Sequence, residues 1–191
     1  QISGIGTKVT VSGNMAQQYG GGVLMNTAGS VVVSDGAQVI VADNAAGTLG
    51  GGLFALNTGT HFNVTGAGTQ VLFTGNRAET SGGGLSGSNL ATMTVSAGAQ
   101  MNISKNEALT GSGGGLYMQI SAKLYIAGSR THVTVDQNAA GHKGGGLYLS
   151  TAPEMTIESG ARLDILHNEA AARSGGGMYT QINAKVFITG V

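Results

Sequence analysis

The sequence predicts an all-β fold: a right-handed single-stranded parallel β-helix, a three-sided β-solenoid of about six coils with about 31 residues each. Three observations lead there. A Gly-Gly-Gly triplet returns six times, at Gly20-Gly21-Gly22, Gly50-Gly51-Gly52, Gly82-Gly83-Gly84, Gly113-Gly114-Gly115, Gly144-Gly145-Gly146 and Gly175-Gly176-Gly177, with steps of 30, 32, 31, 31 and 31 residues. A column of apolar residues at 31, 62, 93, 124, 155 and 186 repeats without slippage. Between the triplets the apolar residues alternate by twos, and no helical period appears. A fixed period of this length marks one supersecondary unit whose apolar face only a neighbouring copy can cover.

Each triplet opens a short first strand: Val23-Leu24-Met25, Leu53-Phe54-Ala55, Leu85-Ser86-Gly87, Leu116-Tyr117-Met118, Leu147-Tyr148-Leu149 and Met178-Tyr179-Thr180. A second strand then carries Val31/Val33, Phe62/Val64, Met93/Val95, Leu124/Ile126, Met155/Ile157 and Val186/Ile188. A third carries Val9/Val11, Val39/Val41, Val71/Phe73, Met101/Ile103, Val133/Val135 and Leu163/Ile165. Alternation sends one face of every strand into a core and the other to solvent. Equivalent strands of successive coils then pair in parallel and in register, at about 4.8 Å per coil, so six coils make a rod roughly 29 Å long. The right-handed sense follows from the strong preference of parallel crossovers.

Glycine marks the corners. Gly4, Gly66 and Gly128 stand ten residues before the next asparagine of the repeat, whereas Gly36, Gly98 and Gly160 stand eight before it. Alternate coils therefore differ by two residues at one corner. The deeper unit is a pair of coils, at about 4–65, 66–127 and 128–189, within a single β-helix domain over 1–191. After the third strand every coil has Asn-x-Ala, with Asn14, Asn44, Asn76, Asn106, Asn138 and Asn168. Asparagine tolerates left-handed backbone and its amide both donates and accepts, so stacked copies should form an inward structural ladder. The triplets resemble phosphate-cradling loops only in composition: no Lys-Ser/Thr follows and no helix starts there. They are expected to let the chain turn tightly and approach the next coil.

Composition excludes several functions. Only 9% of residues are charged, and nine Lys plus Arg against nine acids make no basic stripe, so nucleic acid is not an expected partner. A cytosolic enzyme would carry about a quarter of its residues charged. Low charge with abundant Gly, Ser, Thr, Asn and Ala suits an extracellular surface protein. No apolar run is long enough for a transmembrane segment or a signal peptide. Cysteine is absent, which excludes disulfides and thiolate metal sites. The chain opens on Gln1 instead of Met, and Thr189-Gly190-Val191 looks like the start of another coil, so a segment of a longer repeat protein is expected.

With the residues laid out, the unit resembles the repeats of the polymorphic outer membrane proteins, chlamydial-type surface autotransporters. Their motifs are Phe-x-x-Asn and Gly-Gly-Ala followed by Ile, Leu or Val. Phe73-Thr74-Gly75-Asn76 matches the first, while other coils replace Phe by Val11, Val41, Ile103, Val135 or Ile165. The second appears as Gly-Gly-Gly-Leu, -Val or -Met, with Gly in place of Ala. The similarity covers all six coils. It implies a right-handed parallel β-helix in the exposed passenger of an adhesin or autotransporter, at a bacterial cell surface and either anchored in the outer membrane or secreted.

Sites of chemistry are sparse. The nine acids do not fall in one column of adjacent coils, and His61, His132, His142 and His167 occupy four positions of the repeat. No catalytic residue, metal or cofactor is expected, and the chain is not read as an enzyme. The outward column after the triplets runs Leu24, Phe54, Ser86, Tyr117, Tyr148, Tyr179, and a neighbouring outward column holds Tyr125 and Phe187. Exposed aromatic ladders bind sugars by stacking, or simply stabilise a parallel sheet. The expected function is an extracellular structural or adhesive rod, a spacer or fibre subunit that associates with itself end to end or laterally and meets a host or glycan receptor. The alternative is a carbohydrate-binding or polysaccharide-active domain using Tyr117, Tyr148, Tyr179, Tyr125 and Phe187.

Overall fold

A computed structural model describes residues 1–172 and 174–190; Val191, the end of the Thr189-Gly190-Val191 run, lies outside the described residues. The chain forms a parallel β-solenoid of about six coils, with no helix among the described residues. Its strands stack into four parallel ladders. An apolar-pair ladder contains Ile2–Ser3, Ser30–Ser34, His61–Thr65, Thr92–Ser96, Lys123–Ala127, Glu154–Glu158 and Lys185–Ile188. A glutamine ladder contains Lys8–Ser12, Gln38–Ala42, Gln70–Thr74, Gln100–Ser104, His132–Asp136 and Arg162–Leu166. A tyrosine ladder contains Val23–Asn26, Leu53–Leu56, Leu85–Ser88, Leu116–Gln119, Leu147–Ser150 and Met178–Gln181.

The three strands per coil expected from alternation are joined by a fourth. Two-residue strands, Met15–Ala16, Ala45–Ala46, Arg77–Ala78, Glu107–Ala108, Ala139–Ala140 and Glu169–Ala170, pair where the sequence suggested only a corner. The backbone N–H and C=O groups of the Asn-x-Ala segment thus find partners in the adjacent coils, as buried backbone must.

The 31-residue column is a pairing register. Val31, Phe62, Met93, Leu124, Met155 and Val186 are successive Cα partners. Inward residues of three ladders meet along the axis in one continuous core, from Met25 to Ile157. Phe73 is wholly buried and meets Phe62 edge-to-face at 6.0 Å between ring centroids. Burying such a side chain contributes about 1.5–3 kcal/mol. Val9, Val11, Leu163, Ile165 and Val186 are only partly buried, because a terminal coil has a neighbour on one side alone.

The alternating corners interlock. At the longer corner the Thr69 and Thr131 hydroxyls donate to Thr65 and Ala127 carbonyls. The same hydroxyls accept from the Gly36 and Gly98 N–H groups of the shorter corner one coil earlier. Both threonines are buried. The shorter corner has alanine at that position, Ala37 and Ala99, also buried.

Candidate functional site

The three glycines of a triplet answer to three different neighbours. The first has positive φ, from 59° at Gly144 to 72° at Gly175, a region costly for residues with a Cβ. Its Cα folds against the outward residue of the strand that follows: a Cβ at Gly50 would lie 2.8 Å from Phe54 Cβ, and at Gly82 2.9 Å from Ser86 Cβ. The second abuts the next coil's backbone, a Cβ at Gly83 falling 2.5 Å from the carbonyl oxygens of Glu107 and Gly114. The third faces the asparagine column, a Cβ at Gly84 falling 2.9 Å from Asn106 Nδ2.

This path corrects the expectation that the column after the triplets is exposed. Phe54 (2% exposed), Ser86 (0%) and Tyr148 (8%) are buried, Tyr117 and Tyr179 are half-buried, and Leu24 at the first coil is half open. The runs through Tyr19, Leu49 and Ser81 that enter the first three triplets lie beside one another over the sheet. Tyr19 packs on Phe54 at 5.4 Å, and Tyr19, Leu49 and Ser81 bridge in parallel from coil to coil.

Tyr117, Tyr148 and Tyr179 stack nearly parallel, with centroids 5.3 and 5.7 Å apart and interplanar angles of 4° and 5°. Both faces of Tyr148 are therefore occupied by protein. Lys143 Nζ sits 4.4 Å from the Tyr179 ring centroid and donates to its hydroxyl at 3.1 Å. Tyr117 donates to Gln119 Oε1 at 2.7 Å, and Gln181 donates to the Tyr148 hydroxyl. Burial, and then the neighbouring Tyr148, push the Tyr117 hydroxyl up to about 12. A sugar cannot stack on Tyr148 without unstacking its neighbours. Tyr125 and Phe187 stand apart on the apolar-pair ladder, separated in register by Thr156.

The asparagine column forms a closed network. The side-chain amide of Asn44 donates to Asn76 Oδ1 at 3.0 Å and to the Val41-equivalent carbonyl one coil back, Val11 O, at 2.9 Å. Its oxygen accepts from the Nδ2 and the backbone N–H of Asn14. The pattern repeats through Asn76, Asn106 and Asn138 to Asn168. Each interior amide thus has both N–H groups and both lone pairs engaged, and Asn44, Asn76, Asn106 and Asn138 are buried.

Two histidine–carboxylate pairs join successive coils. His132 Nε2 lies 2.8 Å from Asp164 Oδ2, which also takes Arg162 Nη2 at 2.7 Å. His167 Nδ1 lies 2.9 Å from Asp136 Oδ1. The hydrogen bond from Arg162, and then that from His132, holds the Asp164 carboxyl below its usual range. Thr134 Oγ1 approaches the same Nε2 at 3.4 Å, so carboxylate and hydroxyl share one ring nitrogen. A relay of the Ser-His-Asp type needs the two nitrogens to serve different partners. Among the described residues no three His, Asp or Glu side chains could hold a metal ion. His61 and His142 lie outside this cluster. The pairs were hidden in the sequence because His132 is in register with Arg162 and its partner stands two positions further on. A separation of one coil, 31 or 32 residues, is the signal that finds them.

Coils paired strand on strand, with side-chain ladders running through the stack, define a tandem-repeat parallel β-solenoid. Residues 70–88 match the family model of the Chlamydia polymorphic membrane protein repeat. The matched stretch runs from the Gln70–Thr74 strand through Asn76 and Gly82-Gly83-Gly84 to the Leu85–Ser88 strand, and so holds both motifs of the resemblance within one solenoid coil. That family implies a surface-exposed protein of the outer-membrane, autotransporter type. No curated protein and no solved structure matches the chain.

Proposed function

We propose that the chain is a non-catalytic rod at a bacterial surface, a right-handed, three-sided spacer or fibre subunit of an adhesin, anchored in the outer membrane or secreted. The observation that carries this reading is continuity. Every ladder passes through the stack, and among the described residues no long loop interrupts the coils. The interior amides of the asparagine column are satisfied by their neighbours in the stack, which suits a part whose task is to hold length and shape.

The exposed terminal coils support a reading of self-association. Ile5, Met15 and Ile188 are 94%, 85% and 75% exposed. At the last coil Met155, Ile157, Leu163, Ile165, Val186 and Ile188 line an open depression of about 380 Å³. Strand edges beside exposed core residues are templates for pairing with another chain. The chain should associate end to end, read as a weight-average mass that rises with concentration in sedimentation equilibrium. A constant monomer mass at high concentration would sink the fibre-subunit reading.

A further inference from the structure

The glutamine ladder has an unusual outward face. Gln38, Gln70 and Gln100 are successive register partners, one per coil, and His132 continues the column. Next to them, two positions along each strand, stand Ile40 and Leu72, half-buried, and then Asn102 and Thr134. Together these residues line a groove of about 310 Å³ that runs across four coils. Among the described residues no side-chain hydrogen bond reaches the amides of Gln38, Gln70 or Gln100, in contrast to the saturated asparagines.

We propose that this groove binds an uncharged, extended oligosaccharide lying along the rod axis. Its chemistry points to that class. The lining from Gln38 to Gln100 has no charge. Lys8 stands next in register beyond Gln38, and His132, paired to Asp164, closes the other end, so a charged polymer finds a counter-ion only at the ends of the groove. Free amides donate to and accept from hydroxyls, which carry both functions. Ile40 and Leu72 offer an apolar floor for the C–H faces of pyranose rings. The spacing fits as well: coils recur at about 4.8 Å, close to the length of one pyranose unit in an extended chain. A peptide strand repeats its outward groups at about twice 3.3 Å and would fall out of step with the amides. The volume is at the lower end of small-ligand sites, which begin at about 300 Å³. The inference stands apart from self-association at the coil ends.

The test uses the whole chain and its Gln38→Ala/Gln70→Ala/Gln100→Ala variant. Both are titrated by calorimetry and ligand-observed NMR with cello-, chito- and manno-oligosaccharides of two to six units, and with oligogalacturonate as the charged control. At least one neutral series should bind, with affinity rising up to about four units, one per coil of the groove. The triple variant should keep its melting temperature and lose affinity by about tenfold or more. Binding of none of the neutral series overturns the proposal, as does equal binding by the variant or preference for oligogalacturonate. Loss of lateral association in the variant, with no sugar bound by the parent, overturns it in favour of contact between copies.

Discussion

Two columns of amides run along this rod and behave in opposite ways. In the asparagine column each interior amide gives and receives all its hydrogen bonds within the protein, buried from water. In the glutamine column the amides stand at the rim of a groove, with their bonding capacity open. One is asparagine at the same position of all six coils; the other is glutamine in three successive coils, between Lys8 and His132. Repetition alone therefore does not tell structure from recognition; what tells them apart is whether the hydrogen bonds close. The tyrosine column sits with the asparagines, its rings covered by one another.

The largest way to break the comparison is Asn76→Ala. It removes the acceptor of the Asn44 Nδ2 and backbone N–H and the donor to Val41 O and Asn106 Oδ1, all buried. Stranding those groups should cost about 4 kcal/mol in urea unfolding. A loss under about 1 kcal/mol would mean that the column is not what joins the coils. The next effect is alkaline. The unfolded chain ionises Tyr117 near pH 10, while the folded chain holds its proton to about 12. Between those values the unfolded state has released a proton that the native state retains, so stability should fall as pH rises. Absorbance titration at 295 nm, compared with Tyr117→Phe, should show that this hydroxyl ionises late. Its ionisation near pH 10 in the folded protein would place the ring in water.

A smaller effect sharpens the comparison from inside a closed column. The Ser86 hydroxyl is buried between Phe54 and Tyr117 in register and finds no partner among the described residues. Ser86→Ala should raise stability by about 1 kcal/mol, since an orphan polar group is relieved. A loss on thermal unfolding would mean that the hydroxyl has a partner. Gln70→Ala, in the open column, should shift stability by no more than about 0.5 kcal/mol. A larger loss would move the glutamines to the structural side.

Much of the architecture was legible because a solenoid writes its pairing register as a period. The triplet steps and the column from Val31 to Val186 name the coils and their neighbours directly. The two-residue strands such as Ala45–Ala46 were not legible, since two residues cannot display an alternation. Burial of Phe54 and Tyr148 was not legible either. It depends on where the runs at Tyr19, Leu49 and Ser81 travel, and those residues share no pattern. At the candidate sites, spacing shows which residues share a column. It does not show which ring faces or amide valences stay free, because these depend on the hydrogen bonds and covers that the fold supplies.

The asparagine column has one more consequence, in its direction. Asn14 donates to Asn44, Asn44 to Asn76, Asn76 to Asn106, Asn106 to Asn138 and Asn138 to Asn168, always towards the higher coil. Aligned amide dipoles add, and each hydrogen bond polarises the next. The rod is thus a vector. Among the described residues one end offers the Asn14 amide oxygen as an open acceptor, and the other an Asn168 amide N–H beyond the bond it makes to Val135 O. A coil added in the same sense at either end would continue the column, and one added reversed would meet its own kind, so the column gives the stack of coils a head and a tail.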